Sequence, residues 1–77
     1  MDFQSELLSI INTVLTNNGR KRLDCVSPES DLRRDLALDS FDLAELTVRI
    51  QAKFDVDVFA DSNVSTIGEI IEKLKNR

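Results

Sequence analysis

Apolar residues recur at helical spacing in three separate stretches of this sequence, and this pattern constrains the fold more than any other feature. In residues 3–16 they share one face of a helix, at Phe3, Leu7, Ile10, Ile11 and Val14. A spacing of three or four residues predicts an amphipathic helix. Asn17, Asn18 and Gly19 come next and tolerate the left-handed conformation that ends helices, so the first helix should end there.

The second predicted helix covers residues 40–53 and carries two apolar stripes. The core stripe consists of Leu43, Leu46, Ile50 and Phe54. The second stripe consists of Phe41, Ala44, Val48 and Ala52. A helix in a small domain cannot easily bury two faces, so the second stripe either packs on the long loop or stays open for a partner. Asp39 is a good N-cap, and Asp42 places an acid in the first turn, where the helix dipole favours it.

The third predicted helix covers residues 66–75. Its buried face consists of Ile67, Ile70, Ile71 and Leu74. Thr66 and Glu69 have the spacing of a capping box. Before this helix, residues 55–58 alternate like a strand, but nothing else in the sequence could pair with them. We therefore expect an extended link at 55–58 and at most one helical turn near 59–63.

A long connection, residues 18–38, joins the first two helices. Loops beyond about 15 residues in a small domain are usually functional or contain short structure of their own. The run Ser-Pro-Glu-Ser at 27–30 predicts a single helical turn, with Ser27 as its cap and Pro28 at its first position. The basic run at 20–22 forms either a solvated turn or a contact with an acidic partner. Four apolar residues can tie the connection to the core: Val26, Leu32, Leu36 and Leu38.

These elements predict an all-α fold, a small bundle of three main helices plus one short helix with a long first loop. The connections are long enough for at least one crossover. The 77 residues are expected to form a single domain, 1–77, and a monomer. A domain of this size buries roughly 60% of its unfolded surface, so a large enclosed active site would be hard to build.

The composition argues against an autonomous enzyme. The sequence contains no histidine, so the commonest general base and the commonest transition-metal ligand are both missing. Cys25 is the only cysteine, which excludes an intrachain disulfide and a paired-cysteine metal site. We expect Cys25 to be a half-buried small hydrophobe in a loop. No catalytic residue and no metal site are predicted.

The net charge is concentrated in one segment. The chain has 14 acidic and 10 basic residues, which gives −4. Residues 39–61 hold six acids and two bases, so they account for −4, and the remaining eight acids and eight bases cancel. This balance disfavours nucleic acid as a partner, because nucleic acid requires clustered Lys and Arg. An acidic surface here would instead steer a basic protein toward the start of the second helix.

The sequence also predicts no signal peptide and no membrane span. Its first residues lack a basic region followed by a long apolar run. We expect a cytoplasmic protein that does not bind membranes.

Ser40 lies within the acidic segment, at the first position of the second helix. No base stands beside it in the sequence, so this chain is not expected to activate it as a nucleophile. A hydroxyl at a helix N-terminus suits a phosphate ester, because the backbone N–H groups there favour negative charge. The neighbouring carboxylates oppose such an ester. Ser40 is therefore a candidate for modification by another enzyme.

The residues around Ser40 resemble the acyl carrier protein family. Residues 35–46 read DLALDSFDLAEL, and the phosphopantetheine attachment motif of the family is roughly D-L-G-L-D-S-L-D followed by V/L-x-E-L. Phe54-Asp55-Val56 resembles the end of that helix in the family, and the run STIGEII from Ser65 resembles its closing helix. The resemblance covers nearly the whole chain, in the right order and at the right length.

The resemblance implies a carrier that catalyses nothing itself. Ser40 would be esterified with 4′-phosphopantetheine, which a phosphopantetheinyl transferase takes from coenzyme A with Mg²⁺. The thiol of that arm would hold an acyl or aminoacyl group as a thioester, supplied by an acyl- or aminoacyl-loading enzyme and passed to downstream pathway enzymes. By family position, the partner-docking residues are Asp39, Phe41, Asp42, Ala44, Glu45 and Val48. The candidate acyl pocket consists of Leu46, Ile50, Phe54, Val58 and Ile71, for each of which an ordinary core role is the alternative.

Several departures from the family pattern bear on the pathway. Ala37 stands where the motif usually has Gly, and if that position requires a positive φ, Ala costs stability there. Phe41 replaces the usual Leu or Met. Three residues stand where carriers of fatty acid synthesis are commonly acidic: Arg49, Gln51 and Lys53. The departures favour a carrier dedicated to another biosynthetic pathway over a housekeeping carrier of type II fatty acid synthesis. An alternative of another class is an unmodified acidic helical adaptor that only binds a protein partner.

Overall fold

The computed structural model describes residues 2–58 and 64–76, and within these ranges the chain forms three α-helices. They are α1 (Phe3–Asn17), α2 (Ser40–Phe54) and α3 (Ile67–Lys75). The predicted all-α fold is confirmed, and each helix begins and ends within one residue of its predicted bounds. The turn expected near 59–63 lies outside the described residues. In the described part, no helix is both long enough and apolar enough to cross a membrane.

Each helix begins at a residue whose side chain accepts hydrogen bonds from the first turn. The carboxylate of Asp2 accepts from the backbone amides of residues 4 and 5 at the start of α1. Asp39 and Asp42 form a capping box on α2, and Thr66 and Glu69 form the predicted one on α3. These caps satisfy amides that have no partner within their helix.

The end of α1 is a Schellman motif. The amide of Gly19 donates to the carbonyl of Thr16 at 3.1 Å, and the amide of Arg20 donates to the carbonyl of Leu15 at 2.8 Å. Gly19 has φ +74°, the left-handed conformation that this motif requires and that glycine adopts without steric cost. The motif therefore fixes where Arg20 leaves the helix.

The core lies between α1 and the other two helices, and the apolar residues of the long connection complete it. Its most deeply buried members are at most 1% exposed: Leu7, Ile11, Val14, Leu32, Leu46, Ile50, Val58, Ile67, Ile70 and Leu74. The rings of Phe3 and Phe54 meet edge to face with their centroids 5.7 Å apart, which ties the start of α1 to the end of α2. The predicted core faces are thus mostly buried, with Phe3, Leu43 and Ile71 half-buried at the edge of the core.

Polar side chains of α1 fasten the first part of the long connection. Asn12 is buried, and its amide group donates to the carbonyl of Leu23 at 3.0 Å while its oxygen accepts from the amide of Leu23 at 2.6 Å. The side chain of Gln4 donates to the carbonyl of Val26 at 2.8 Å. These bonds satisfy loop backbone that would otherwise be buried without partners.

Backbone hydrogen bonds fasten the second part of the connection to the start of α3. The amide of Leu32 donates to the carbonyl of Ser65 at 2.8 Å, and the amide of Gly68 donates to the carbonyl of Pro28 at 2.9 Å. A Cβ atom on Gly68 would lie 3.0 Å from that same carbonyl oxygen. The close approach of the loop therefore favours glycine at this position.

The turn predicted at 27–30 is present but is not a short helix. One hydrogen bond closes it, from the amide of Ser30 to the carbonyl of Ser27 at 3.0 Å. The expected capping is reversed, because the hydroxyl of Ser30 accepts from the amide of Ser27. Directly after this turn, the backbone of the connection bonds to the start of α3. The sequence therefore predicted the turn correctly but assigned it the wrong cap.

Candidate functional site

Ser40 is the first residue of α2, and its side chain is exposed. The residues on either side of it fix the helix start. The carboxylate of Asp39 accepts from the amide of Asp42 at 2.9 Å, and the carboxylate of Asp42 accepts from the amide of Asp39 at 3.0 Å. Ser40 thus presents a hydroxyl at a rigid helix N-terminus, where the aligned backbone dipoles favour negative charge.

The structure corrects the prediction that Asp42 docks a partner. Asp42 is only 1% exposed, and besides the amide of Asp39 its carboxylate accepts from the side chains of Asn18, at 2.6 Å, and Arg20. Burial raises the pKa of Asp42, but these hydrogen bonds and the charge of Arg20 outweigh it, so the pKa lies below its ordinary value. The carboxylate is a structural group and cannot meet another protein directly.

Arg20 is the residue of this site that the sequence did not identify. Its guanidinium donates to the carboxylate of Asp42 and to the carbonyl oxygen of Ala37, and it lies 4.0 Å from the carboxylate of Asp39. The basic run at 20–22 was expected to be either a solvated turn or a partner contact. For Arg20 neither holds, because it makes its contacts within the chain. A pair 22 residues apart leaves no periodic signal in the sequence.

Ala37 has a left-handed backbone conformation, with φ +57°. Alanine was expected to cost stability at this position if the backbone there had a positive φ, and the structure shows that it has. Residues other than glycine, asparagine and aspartate rarely adopt such a φ, because the Cβ of an L-residue crowds the backbone. The strained residue lies three positions before Ser40, in the loop that leads into α2.

The second apolar stripe of α2 is open in this structure. Phe41 is 83% exposed and Val48 is 66% exposed. Ala44 and Ala52 are exposed on the same helix. Of the two alternatives for this stripe, packing on the long loop is wrong, and the stripe is left uncovered. Large apolar side chains that are exposed together commonly mark an interaction surface.

The acidic surface around Ser40 is smaller than the net charge of residues 39–61 indicated. Asp42 is buried and paired with Arg20. Glu45 is half-buried and accepts from Arg49 at 3.0 Å and from Asn17 at 3.3 Å, and these hydrogen bonds lower the pKa of Glu45. Next to Ser40 the exposed carboxylate is that of Asp39, whose side chain is 62% exposed.

The five residues predicted as an acyl pocket lie in the core or at its edge. Leu46, Ile50, Phe54 and Val58 are at most 3% exposed and belong to the packed core. Ile71 is half-buried at its edge. Their positions agree with the alternative of an ordinary core role.

A different groove begins at Ser40. Its volume is about 470 Å³, which is within the range of small-molecule sites. One wall follows a single face of α2 at the spacing i, i+3, i+4 and i+7: Ser40, Leu43, Ala44 and Thr47. The loops before α2 and α3 form the other wall: Asp31, Leu32, Arg33, Val64 and Ser65. The groove that contains Ser40 is thus lined by both polar and apolar side chains.

Neither a metal site nor a reactive cysteine adds chemistry to this groove. Within residues 2–58 and 64–76, no three acidic or cysteine side chains are grouped so that they could hold a metal ion. Cys25 is exposed rather than half-buried as expected, although Val26 beside it belongs to the core and Leu23 packs against that core.

Comparison with known proteins assigns the family. The family model described as the phosphopantetheine attachment site matches residues 5–74. This chain belongs to the acyl carrier protein family. An acyl carrier protein of Picosynechococcus sp. is 32% identical over 68 residues, which cover 86% of this chain and 84% of that protein. An acyl carrier protein of Amoebophilus asiaticus is 33% identical over 54 residues, which cover 68% of each chain. No solved structure matches significantly.

Membership in the family establishes the general role of the chain. It is a carrier rather than a catalyst, and its cofactor is covalently bound 4′-phosphopantetheine, which supplies a thiol for thioester formation. The residues present fit such a group, since Ser40 offers an exposed hydroxyl at a helix N-terminus that favours a phosphate. Arg33 and Asp31 both line the groove that begins at Ser40, so its wall carries charges of both signs. Carriers of this family act with a phosphopantetheinyl transferase and with synthesis enzymes.

Proposed function

We propose that Ser40 is the attachment residue of this carrier and that its arm holds acyl or aminoacyl intermediates as thioesters. The observation that carries the proposal is the exposed Ser40 hydroxyl at the capped start of α2, inside the motif DLALDSFDLAEL. During attachment the Ser40 oxygen forms a bond to phosphorus, and the phosphoanhydride bond of coenzyme A breaks, which releases adenosine 3′,5′-bisphosphate. The hydroxyl proton passes to a base of the transferase, because this chain has no histidine to accept it.

The test is modification of the purified chain by a broad-specificity phosphopantetheinyl transferase with coenzyme A and Mg²⁺. Intact-mass measurement should show the addition of one phosphopantetheine group to the wild-type chain and to the Ser65→Ala variant. Ser65 is a suitable control because it is an exposed serine that lines the same groove. The Ser40→Ala variant should add none. Failure of several transferases to modify the wild-type chain would refute the proposal.

The open stripe of α2 is the proposed docking surface for the transferase and the loading enzyme. Phe41, Ala44 and Val48 supply exposed apolar area, and Asp39 and Glu45 supply negative charge beside it. Val48→Asp should raise the KM of the transferase for the carrier, because it places a charge in an apolar contact. The thermal midpoint should hardly change, since Val48 is 66% exposed.

We further propose that the carrier serves a dedicated pathway with short or polar cargo rather than housekeeping fatty acid synthesis. The support is the groove at Ser40, whose wall includes Thr47, Arg33 and Asp31, and the packed core behind it. A long chain buried in the folded state would raise the thermal midpoint, because it binds that state alone. We expect little gain with either a long or a short acyl group, and a clear gain with the long chain alone would contradict this proposal.

The alternative of an unmodified adaptor draws on the same open stripe of α2. It predicts that Ser40→Ala retains full activity in the host, whereas charge reversal at Glu45 abolishes it. Asp42 is unsuitable for that test, because its buried carboxylate supports the fold. Loss of activity in the Ser40→Ala strain, with normal protein levels, would exclude the adaptor.

A further inference from the structure

Arg20 reaches residues 37–42, which comprise the end of the connection and the first turn of α2 and are called the modification loop here, from a fixed starting point. The left-handed Gly19 closes the Schellman motif of α1, and the amide of Arg20 is bound to the carbonyl of Leu15 at 2.8 Å. The backbone of Arg20 therefore has little freedom where its side chain departs. Its side chain is about one-third exposed, so most of it is held against the protein.

The guanidinium contacts the modification loop on both sides of Ser40. One nitrogen donates to the carboxylate of Asp42, two residues after Ser40, and the other donates to the carbonyl of Ala37, three residues before it. Asp42 in turn accepts from the amide of Asp39 at 3.0 Å. A single side chain from just after α1 thus holds the six residues that contain Ser40 at both ends.

The two contacts offset two destabilising features of this loop, a strained backbone and a buried charge. Ala37 has φ +57°, a conformation that is strained for alanine, and the bond to its carbonyl helps to hold it. Asp42 is a buried carboxylate that would be costly without a cation. Arginine suits both contacts because its planar fork donates in two directions at once, which a lysine ammonium cannot reproduce in the same geometry.

We propose that Arg20 is a positioning residue for the modification of Ser40: it holds the loop from Ala37 to Asp42 in the shape in which the transferase accepts the serine hydroxyl. The inference rests on the proposed function of Ser40. It adds a residue of the connection that follows α1, outside the attachment motif, to the machinery that the transferase requires. Misplacement of a reacting group by about 1 Å can cost on the order of a hundredfold in rate. Loss of the contacts of Arg20 should therefore lower the kcat of the transferase.

The experiment measures kcat and KM of a phosphopantetheinyl transferase with coenzyme A, Mg²⁺ and each carrier variant, well below the unfolding temperature of that variant. Arg20→Gln removes the charge and the fork. Arg22→Gln is the matched control, because it makes the same change at an exposed position of the same basic run. Arg20→Lys keeps the charge for Asp42 and thus protects the fold, so it remains informative if Arg20→Gln does not fold.

We expect Arg20→Gln to lower kcat about tenfold with KM nearly unchanged, and Arg20→Lys to lower it less. Arg22→Gln should behave as wild type. Amide hydrogen exchange should quicken at residues 38–42 and stay unchanged in α3, which distinguishes a local loss of order from general destabilisation.

Two results would overturn the role of Arg20 while leaving Ser40 as the attachment site. One is modification of folded Arg20→Gln and Arg20→Lys at the wild-type kcat. The other is an effect confined to KM, which would make Arg20 a docking contact instead. If the wild-type chain itself is not modified, the proposed function fails and not this inference alone.

Discussion

Replacing Ala37 with glycine should stabilise this protein, although the same change destabilises most sites. Ala37 has φ +57°, and the left-handed conformation costs an L-residue about 1–2 kcal/mol relative to the right-handed one. Glycine avoids that cost. It also gains freedom in the unfolded chain, which opposes folding by about 0.4–1 kcal/mol. With the middle of each range, the difference leaves a net stabilisation of about 0.8 kcal/mol.

The contacts of Ala37 support this estimate. Its backbone carbonyl accepts from Arg20, and glycine has the same carbonyl, so the hydrogen bond survives the substitution. Ala37 is exposed, so the lost methyl group contributes little burial. For a domain of this size, 1 kcal/mol corresponds to about 4–8 °C in thermal midpoint. We therefore expect Ala37→Gly to unfold several degrees above wild type in thermal denaturation followed by circular dichroism.

The matched control is Ala44→Gly, which makes the same chemical change at an exposed position inside α2. There the backbone is helical, so glycine should destabilise the protein by about 1 kcal/mol. The two variants should therefore shift the thermal midpoint in opposite directions. A downward shift for Ala37→Gly as large as that for Ala44→Gly would refute the reasoning from φ.

Three further predictions concern contacts elsewhere. Asp42→Asn should lower the free energy of unfolding in urea by about 2 kcal/mol, because a charged hydrogen bond is lost. Since the folded-state pKa of Asp42 is lowered, the stabilisation by its carboxylate is complete above about pH 4 and is lost as the pH falls through that lowered pKa. Parallel plots of stability against acid pH for wild type and variant would contradict this prediction. Gly68→Ala should lower the thermal midpoint through a cost of about 1–3 kcal/mol, because the new Cβ would lie 3.0 Å from the carbonyl oxygen of Pro28, and an unchanged midpoint would show that the loop yields. Glu6→Gln should cost less than about 1 kcal/mol in urea denaturation despite its 2.7 Å ion pair with Lys53, and any cost should vanish in high salt.

Local patterns in the sequence predicted the helices well. The bounds of α1, α2 and α3 follow from apolar spacing and from caps such as Asp39 and Thr66, because these signals act over a single turn. The capping box of Thr66 with Glu69 was predicted as it stands. The proposed attachment residue came from the motif around Ser40 rather than from spacing, since a serine at a helix start is common and commonly has no function.

Contacts between distant residues could not be predicted in the same way. Asp42 looked like an exposed acid by its helix position, and its burial depends on Asn18 and Arg20, which come from the end of α1. The bond of Asn12 to Leu23 likewise joins a helix to a loop. Such pairings arise when helices pack, so no periodicity in a single segment records them. The groove at Ser40 was missed for the same reason, because one of its walls comes from two loops.

The backbone hydrogen bonds between the long connection and the start of α3 affect which positions of this chain can be substituted. Leu32 and Gly68 bind Ser65 and Pro28 through main-chain atoms, so these links do not depend on the identity of most side chains nearby. Positions such as Arg33, Val64 and Ser65, which line the groove, can therefore change without releasing the loop. Under the proposed function, surface substitutions in the groove would change the cargo preference of such a carrier while its scaffold is retained.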